Sequence, residues 1–174
     1  FLTPAIVTGD RSLVDVVVHE LAHSWTGNLV TNARWDSFWL NEGWTVYFEG
    51  RMCEELYGVE TAMLGRANLW RELERDLTGF AKRPWFTALC TNQAGVDPDE
   101  VFSRVPYAKG AAFLRRLEEL VGRETFNLFV RKYIERFAFQ SIDTGTFLDF
   151  TAKELPGVLE RARAWRWVYG EGVP

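Results

Sequence analysis

The chain has only two histidines, and both fall in one five-residue string, His19-Glu20-Leu21-Ala22-His23. Glu42 follows in Leu40-Asn41-Glu42-Gly43-Trp44. On a helix, residues four apart share a face, so both imidazoles can aim at one ion. His-Glu-x-x-His on a helix is the pattern of a zinc hydrolase in which the intervening glutamate handles the proton. A later carboxylate completes a two-His, one-Glu set and leaves a fourth zinc position for water. The candidate metal ligands are therefore His19, His23 and Glu42. Glu20 points roughly 100° around the helix from His19, too poorly aimed to ligate. It can still reach a water activated by the ion, which makes it the candidate general base.

A surface accident, or two satisfied core histidines, is the competing explanation. A buried pair without an ion would have to satisfy four ring nitrogens through hydrogen bonds alone. A rival zinc pattern needs Gly three and His six residues after the second histidine. Thr26 and Leu29 stand there, so that class is excluded. Two further residues earn attention. Glu49 is a candidate acceptor for a ligand imidazole N–H, with a solvated helix glutamate as the alternative. Tyr107, in Val105-Pro106-Tyr107, is a candidate hydroxyl donor to a developing oxyanion, with a structural tyrosine as the alternative. The acidic run Asp97, Asp99 and Glu100 hints at a cationic substrate group; solvated loop carboxylates are the commoner outcome.

Elements must position these groups. The spacing predicts a helix over 12–26 carrying both histidines, with Ser12 as N-cap and Gly27 as C-cap. Val16, Leu13 and Val17 would lie on or beside the histidine face. Residues 28–32 read as a polar and β-branched connection. A second helix from Asp36 or Ser37 to Gly58 would carry Glu42 and Glu49. A third over 60–78 has Leu64, Leu69, Leu73 and Leu77 as its stripe. Periodicity fails from Gly79 to Val105, a length that inside a compact domain is usually functional or locally structured. A helix then opens with Pro106 and closes before Gly122. Phe126, Phe129, Val130, Tyr133, Ile134 and Phe137 repeat at helical spacing and are core. Asp143 or Thr144 caps a helix ending before Pro156-Gly157, and a last one spans 158–168. The start, from Phe1 to Val7, reads as a strand. The fold class is thus mainly α, with a short extended N-terminal segment.

At 174 residues this is one domain or one lobe of a larger one. Net charge is −4 with both signs mixed, so no basic footprint points to nucleic acid. No apolar run approaches the roughly 20 residues of a membrane span. Eight tryptophans are most simply core filling. Cys53 and Cys90 are too few for a disulfide framework and read as free thiols in a reducing, cytoplasmic setting. With neither an initiator Met nor a signal-peptide pattern, the chain is expected to be part of something longer.

The run from His19 to Thr31, followed by Trp39-Leu-Asn-Glu-Gly43, resembles the gluzincin aminopeptidases that include aminopeptidase N. Within them it is most similar to the branch of aminopeptidase B and leukotriene A4 hydrolase. Gly9-Asp10-Arg11-Ser12-Leu13, Asp97-Pro98-Asp99 and Pro106-Tyr107-x-Lys109-Gly110 match that branch too. The resemblance covers nearly the whole chain. It implies the helical lobe of a thermolysin-like catalytic domain over 1–174. It further implies zinc held by His19, His23 and Glu42, Glu20 as general base, Tyr107 as transition-state stabiliser and Asp99 in substrate recognition. The implied activity is removal of N-terminal residues from peptides, with a thermolysin-like endopeptidase or a non-catalytic helical interaction module as alternatives. The family's Gly-x-Met-Glu-Asn motif, whose glutamate grips the substrate's free α-amine, would lie before Phe1. The flanking N-terminal β-domain and C-terminal helical domain are likewise outside these residues. Where the leukotriene hydrolase has a tyrosine five residues before its stabilising one, this sequence has Phe102, which takes a hydroxyl away from epoxide chemistry.

Overall fold

A computed structural model describes residues 2–10 and 12–174, apart from the side chains of 98 and 99. Helices dominate. The metal-motif helix α1 spans Val14–Ala22, and α2 spans Trp39–Tyr57 after a 3-10 turn at Trp35–Ser37. Helix α3 is Val59–Gly79, and a single turn, α4, is Pro98–Val101. A π-helical turn at Val105–Lys109 leads into α5, Gly110–Val121. Helix α6 is Arg123–Phe137, and α7 is Thr144–Glu154. Two short helices, α8 (Val158–Ala162) and α9 (Ala164–Val168), close the order.

The boundaries follow local chemistry. Gly58 and Gly122 sit at φ +85° and +84°, where only glycine is at ease, and each turns one helix straight into the next. Asp143 caps α7, its Oδ1 accepting from the Thr146 amide at 2.8 Å. Helix α2 forms the centre. Its Trp39, Trp44 and Tyr47 are fully buried against Phe113 of α5, Phe126, Phe129 and Tyr133 of α6, and Phe147 of α7.

Several expectations need correction. The N-terminal segment is not extended throughout: Pro4–Ile6 forms a 3-10 turn, opened by a proline whose fixed φ suits a first helical position. Helix α1 starts at Val14 with Leu13, not Ser12, before it, because the Ser12 amide is bonded to the Asp10 carboxylate. It ends at Ala22, so Gly27 is no C-cap. Residues 30–32 are a strand, β1 (Val30–Asn32), paired in parallel with β2 (Gln140–Ile142) in the register Val30↔Gln140, Thr31↔Ser141 and Asn32↔Ile142. Such pairing across a hundred residues leaves no local mark. The final helix breaks at Arg163, which takes a left-handed φ of +54°. Val17 is exposed and Val18 is the buried position on α1 instead; of the expected α3 stripe Leu73 is fully buried but Leu64 is exposed. The tryptophans are mostly not core: Trp25, Trp35, Trp70, Trp85 and Trp165 are exposed.

Candidate metal centre

Helices α1 and α2 bring the three candidate ligands to one point. His19, His23 and Glu42 each present one ligand atom, and all three atoms lie within 4.8 Å of one another. Glu42 Oε2 stands 3.4 Å from His19 Nε2 and 3.5 Å from His23 Nε2. Glu42 is only 7 % exposed, and that oxygen is buried with no hydrogen-bond partner. A buried orphan carboxylate oxygen faced by two imidazoles is costly unless something bridges them.

The other ring nitrogens are already committed. His19 Nδ1 lies 3.0 Å from Glu49 Oε2, and His23 Nδ1 lies 2.9 Å from the Thr26 carbonyl oxygen. A carboxylate and a carbonyl can only accept, so in the neutral rings Nδ1 carries the proton and Nε2 offers its lone pair inward. Thr45, on α2, donates its hydroxyl to the same Thr26 carbonyl at 3.0 Å and sits 3.2 Å from His23 Nδ1. Neither Thr26 nor Thr45 was identifiable as a supporting residue from the sequence, since the contact depends on how α2 packs on the end of α1. Gly27, at φ +128°, completes the seat: a Cβ there would come 2.8 Å from His23 Nδ1.

Electrostatics match this geometry. Burial works against a charged His19, but Glu42 and Glu49 outweigh it and lift the imidazole to about 9. His23 is also raised, by Glu42 foremost, against burial. Glu42 is lowered: burial would raise it, and the two imidazoles prevail. The set of two imidazole nitrogens and one carboxylate oxygen, aimed inward and backed by acceptors, fits a divalent cation of the zinc type.

Around the centre, Glu20 lies half-buried on α1. Tyr107, in the π turn, has its ring 6.4 Å from that of His19, with Phe38 and Phe102 edge-on to it and the Arg104 guanidinium above it at 5.7 Å. Burial, then the charges of Glu42 and Glu20, push its phenol up to about 12 against the pull of Arg104. Tyr107 is therefore a protonated donor at neutral pH. Beside His19 a groove of about 880 Å³ runs between α1, α2 and α3, lined by Glu49, Cys53, Leu69, Glu72, Arg104 and Tyr107 among others. The side chain of Asp99 lies outside the described residues. Of its acidic neighbours, Glu100 is paired with Arg83 at 3.0 Å.

The model of the peptidase family M1 domain matches residues 4–165. Leucine aminopeptidase 2-1 of Meyerozyma guilliermondii is 42% identical over 180 residues, which cover 100% of this chain and 29% of that protein. A solved structure of yeast LTA4 hydrolase in complex with bestatin superposes with a TM-score of 0.94 at 41% identity, covering 100% of this chain and 29% of that one. A mutant M1 zinc metallopeptidase from Deinococcus radiodurans, bound to a Tyr-Ser-Ala substrate, gives a TM-score of 0.75 at 26% identity, over 99% of this chain and 36% of that one. The chain thus spans less than a third of the curated relatives it matches. Its helical architecture is that of these neighbours, and with a single domain model covering all but its ends, the chain belongs to peptidase family M1.

Proposed function

We propose that this chain carries the metal machinery of a zinc aminopeptidase, which removes N-terminal residues from peptides with a free α-amine. The observation behind this is the convergence of His19, His23 and Glu42 around one buried, unbonded carboxylate oxygen. Relatives named leucine aminopeptidase and neighbours named zinc metallopeptidase support both the metal and the reaction class.

Zinc bound there would polarise the scissile carbonyl and make a water molecule acidic enough to attack near neutral pH. The chain's own residues supply the rest. Glu49 and Thr26 hold the two imidazoles in the tautomer that leaves Nε2 free. Glu20 takes the proton from the attacking water and returns it to the departing amine. Tyr107 donates its phenolic hydrogen to the carbonyl oxygen as negative charge develops on it. Further domains of the same protein are the proposed partners that complete the substrate site. The two unpaired, half-buried cysteines suit a reducing compartment such as the cytoplasm.

The test uses the protein expressed from its complete gene, with zinc per chain measured after dialysis. Release of free N-terminal amino acids, lost when the peptide is N-acetylated, is the expected result. Cleavage inside blocked peptides would point instead to an endopeptidase of thermolysin type. Glu20→Gln should keep the zinc and abolish turnover. No turnover in either protein would leave a helical interaction module, and unchanged turnover in Glu20→Gln would take the general-base role from Glu20. Comparing leucyl with arginyl substrates tests whether the acidic run at 97–100 selects basic side chains.

A further inference from the structure

The π turn that carries Tyr107 ends at Lys109, a lysine with no exposed surface. Among the described residues no carboxylate pairs with it. Its Nζ donates instead to two backbone carbonyls, Thr87 O at 2.7 Å and Gly170 O at 2.8 Å. Burial pushes the ammonium down to about 8, so it is still charged at neutral pH. A buried charge is a costly way to fill space that methionine would fill as well. Its structural yield is the pair of bonds.

Those bonds run to segments that are themselves stitched together. Thr87 Oγ1 accepts from the Gly172 amide at 2.8 Å, and the Cys90 amide donates to Val168 O at 2.9 Å. Lys109 thereby ties the tyrosine turn to both sides of one seam, the loop at 87–90 and the segment at 168–172. A π turn is wider than an α turn and depends more on outside support, and such turns cluster at functional sites. Ring contacts from Phe38 and Phe102 orient the phenol, while its backbone is carried by the turn.

We propose that Lys109 is a positioning residue for Tyr107, fixing the turn by anchoring it to the seam between residues 87–90 and 168–172. This rests on Tyr107 serving as the donor to the developing oxyanion. That contact counts in the transition state, so Lys109 is expected to act on kcat and leave KM and zinc content alone.

A double-mutant cycle in the protein expressed from its complete gene tests this, with kcat, KM and zinc per chain measured for Lys109→Met, Tyr107→Phe and the pair. Misplacing a catalytic group by about 1 Å costs up to ~100-fold, so Lys109→Met should lower kcat by ~10-fold or more with KM near that of the parent. In the Tyr107→Phe background the same change should cost less than about twofold, since the group it positions has gone. Lys109→Gln, which keeps one donor group, should fall between. Equal losses in both backgrounds, or no loss in kcat, would overturn the proposal. So would failure of both the Met and Gln variants to fold and bind zinc, which would make Lys109 structural only. If Tyr107→Phe alone leaves kcat intact, the donor role itself falls and the positioning role with it. If Tyr107→Phe costs kcat and Lys109→Met does not, only the positioning role falls.

Discussion

Gly43 and Gly110 meet backbone to backbone: a Cβ on either would lie 2.9 Å from the Cα of the other. Gly43 follows the candidate ligand Glu42 on α2, and Gly110 follows the turn that bears Tyr107. The absence of two side chains thus sets how closely the carboxylate and the phenol approach. A Cβ on Gly43 would also meet the Pro106 carbonyl oxygen at 3.2 Å.

Gly43→Ala should therefore push the tyrosine turn away from α2. Overpacking of this kind costs about 1–3 kcal/mol, which denaturant unfolding reads directly. Turnover should fall with it, because the phenol moves off the site of developing charge. A variant that unfolds and turns over like the parent would show that the contact is loose.

Gly27→Ala tests the seat of His23. The added Cβ would press on Nδ1, and the φ of +128° is one that an L side chain resists. Disturbing the support of a ligand imidazole typically costs 10–100-fold in metal affinity, so a loss of about that size is expected in chelator competition. Unchanged affinity would mean that the ring is held by Thr26 and Thr45 without help from the glycine.

Zinc uptake should release protons at pH 7. Without metal, His19 titrates at about 9 and is protonated there, whereas a ligand imidazole must be neutral. Calorimetric titration in two buffers of different ionisation enthalpy should give different apparent heats. Glu49→Gln, which removes one of the carboxylates holding the proton on His19, should shrink that difference. The same shift governs stability of the metal-free protein. A raised folded-state pKa stabilises fully below the ordinary imidazole value of 6.5, and the stabilisation is lost as pH rises through about 9. Identical heats in both buffers would exclude this account.

Asp143→Ala should lower stability by about 1 kcal/mol through loss of the α7 cap. Asp143→Asn should stay close to the parent, since asparagine caps equally well and the Arg34 contact at 3.8 Å is largely exposed. If Asn costs as much as Ala in thermal melts, the ion pair and not the cap is what matters.

The candidate metal ligands and most helices were legible before folding, because both are written in short-range spacing. Two histidines four apart need only one helical turn to share a face, and Phe126, Phe129, Tyr133 and Phe137 mark their helix by period alone. Glycines at 58 and 122 end helices by a backbone preference that depends on no neighbour. Most of what surrounds the candidate ligands depends on long-range packing. Thr45 reaches His23 across 22 residues and Val30 pairs with Gln140 across 110, while for Glu49 it was packing that favoured the contact with His19 over a solvated helix glutamate, both of which the sequence left open. None of these partners differs in type or local pattern from an ordinary helix or loop residue. Their contacts exist because helices pack at distances set by side-chain volume, and at Gly43 and Gly110 by its absence. The exposed tryptophans make the same point from the other side: composition says that a residue is large and apolar, but only the packed chain says which ones find a core.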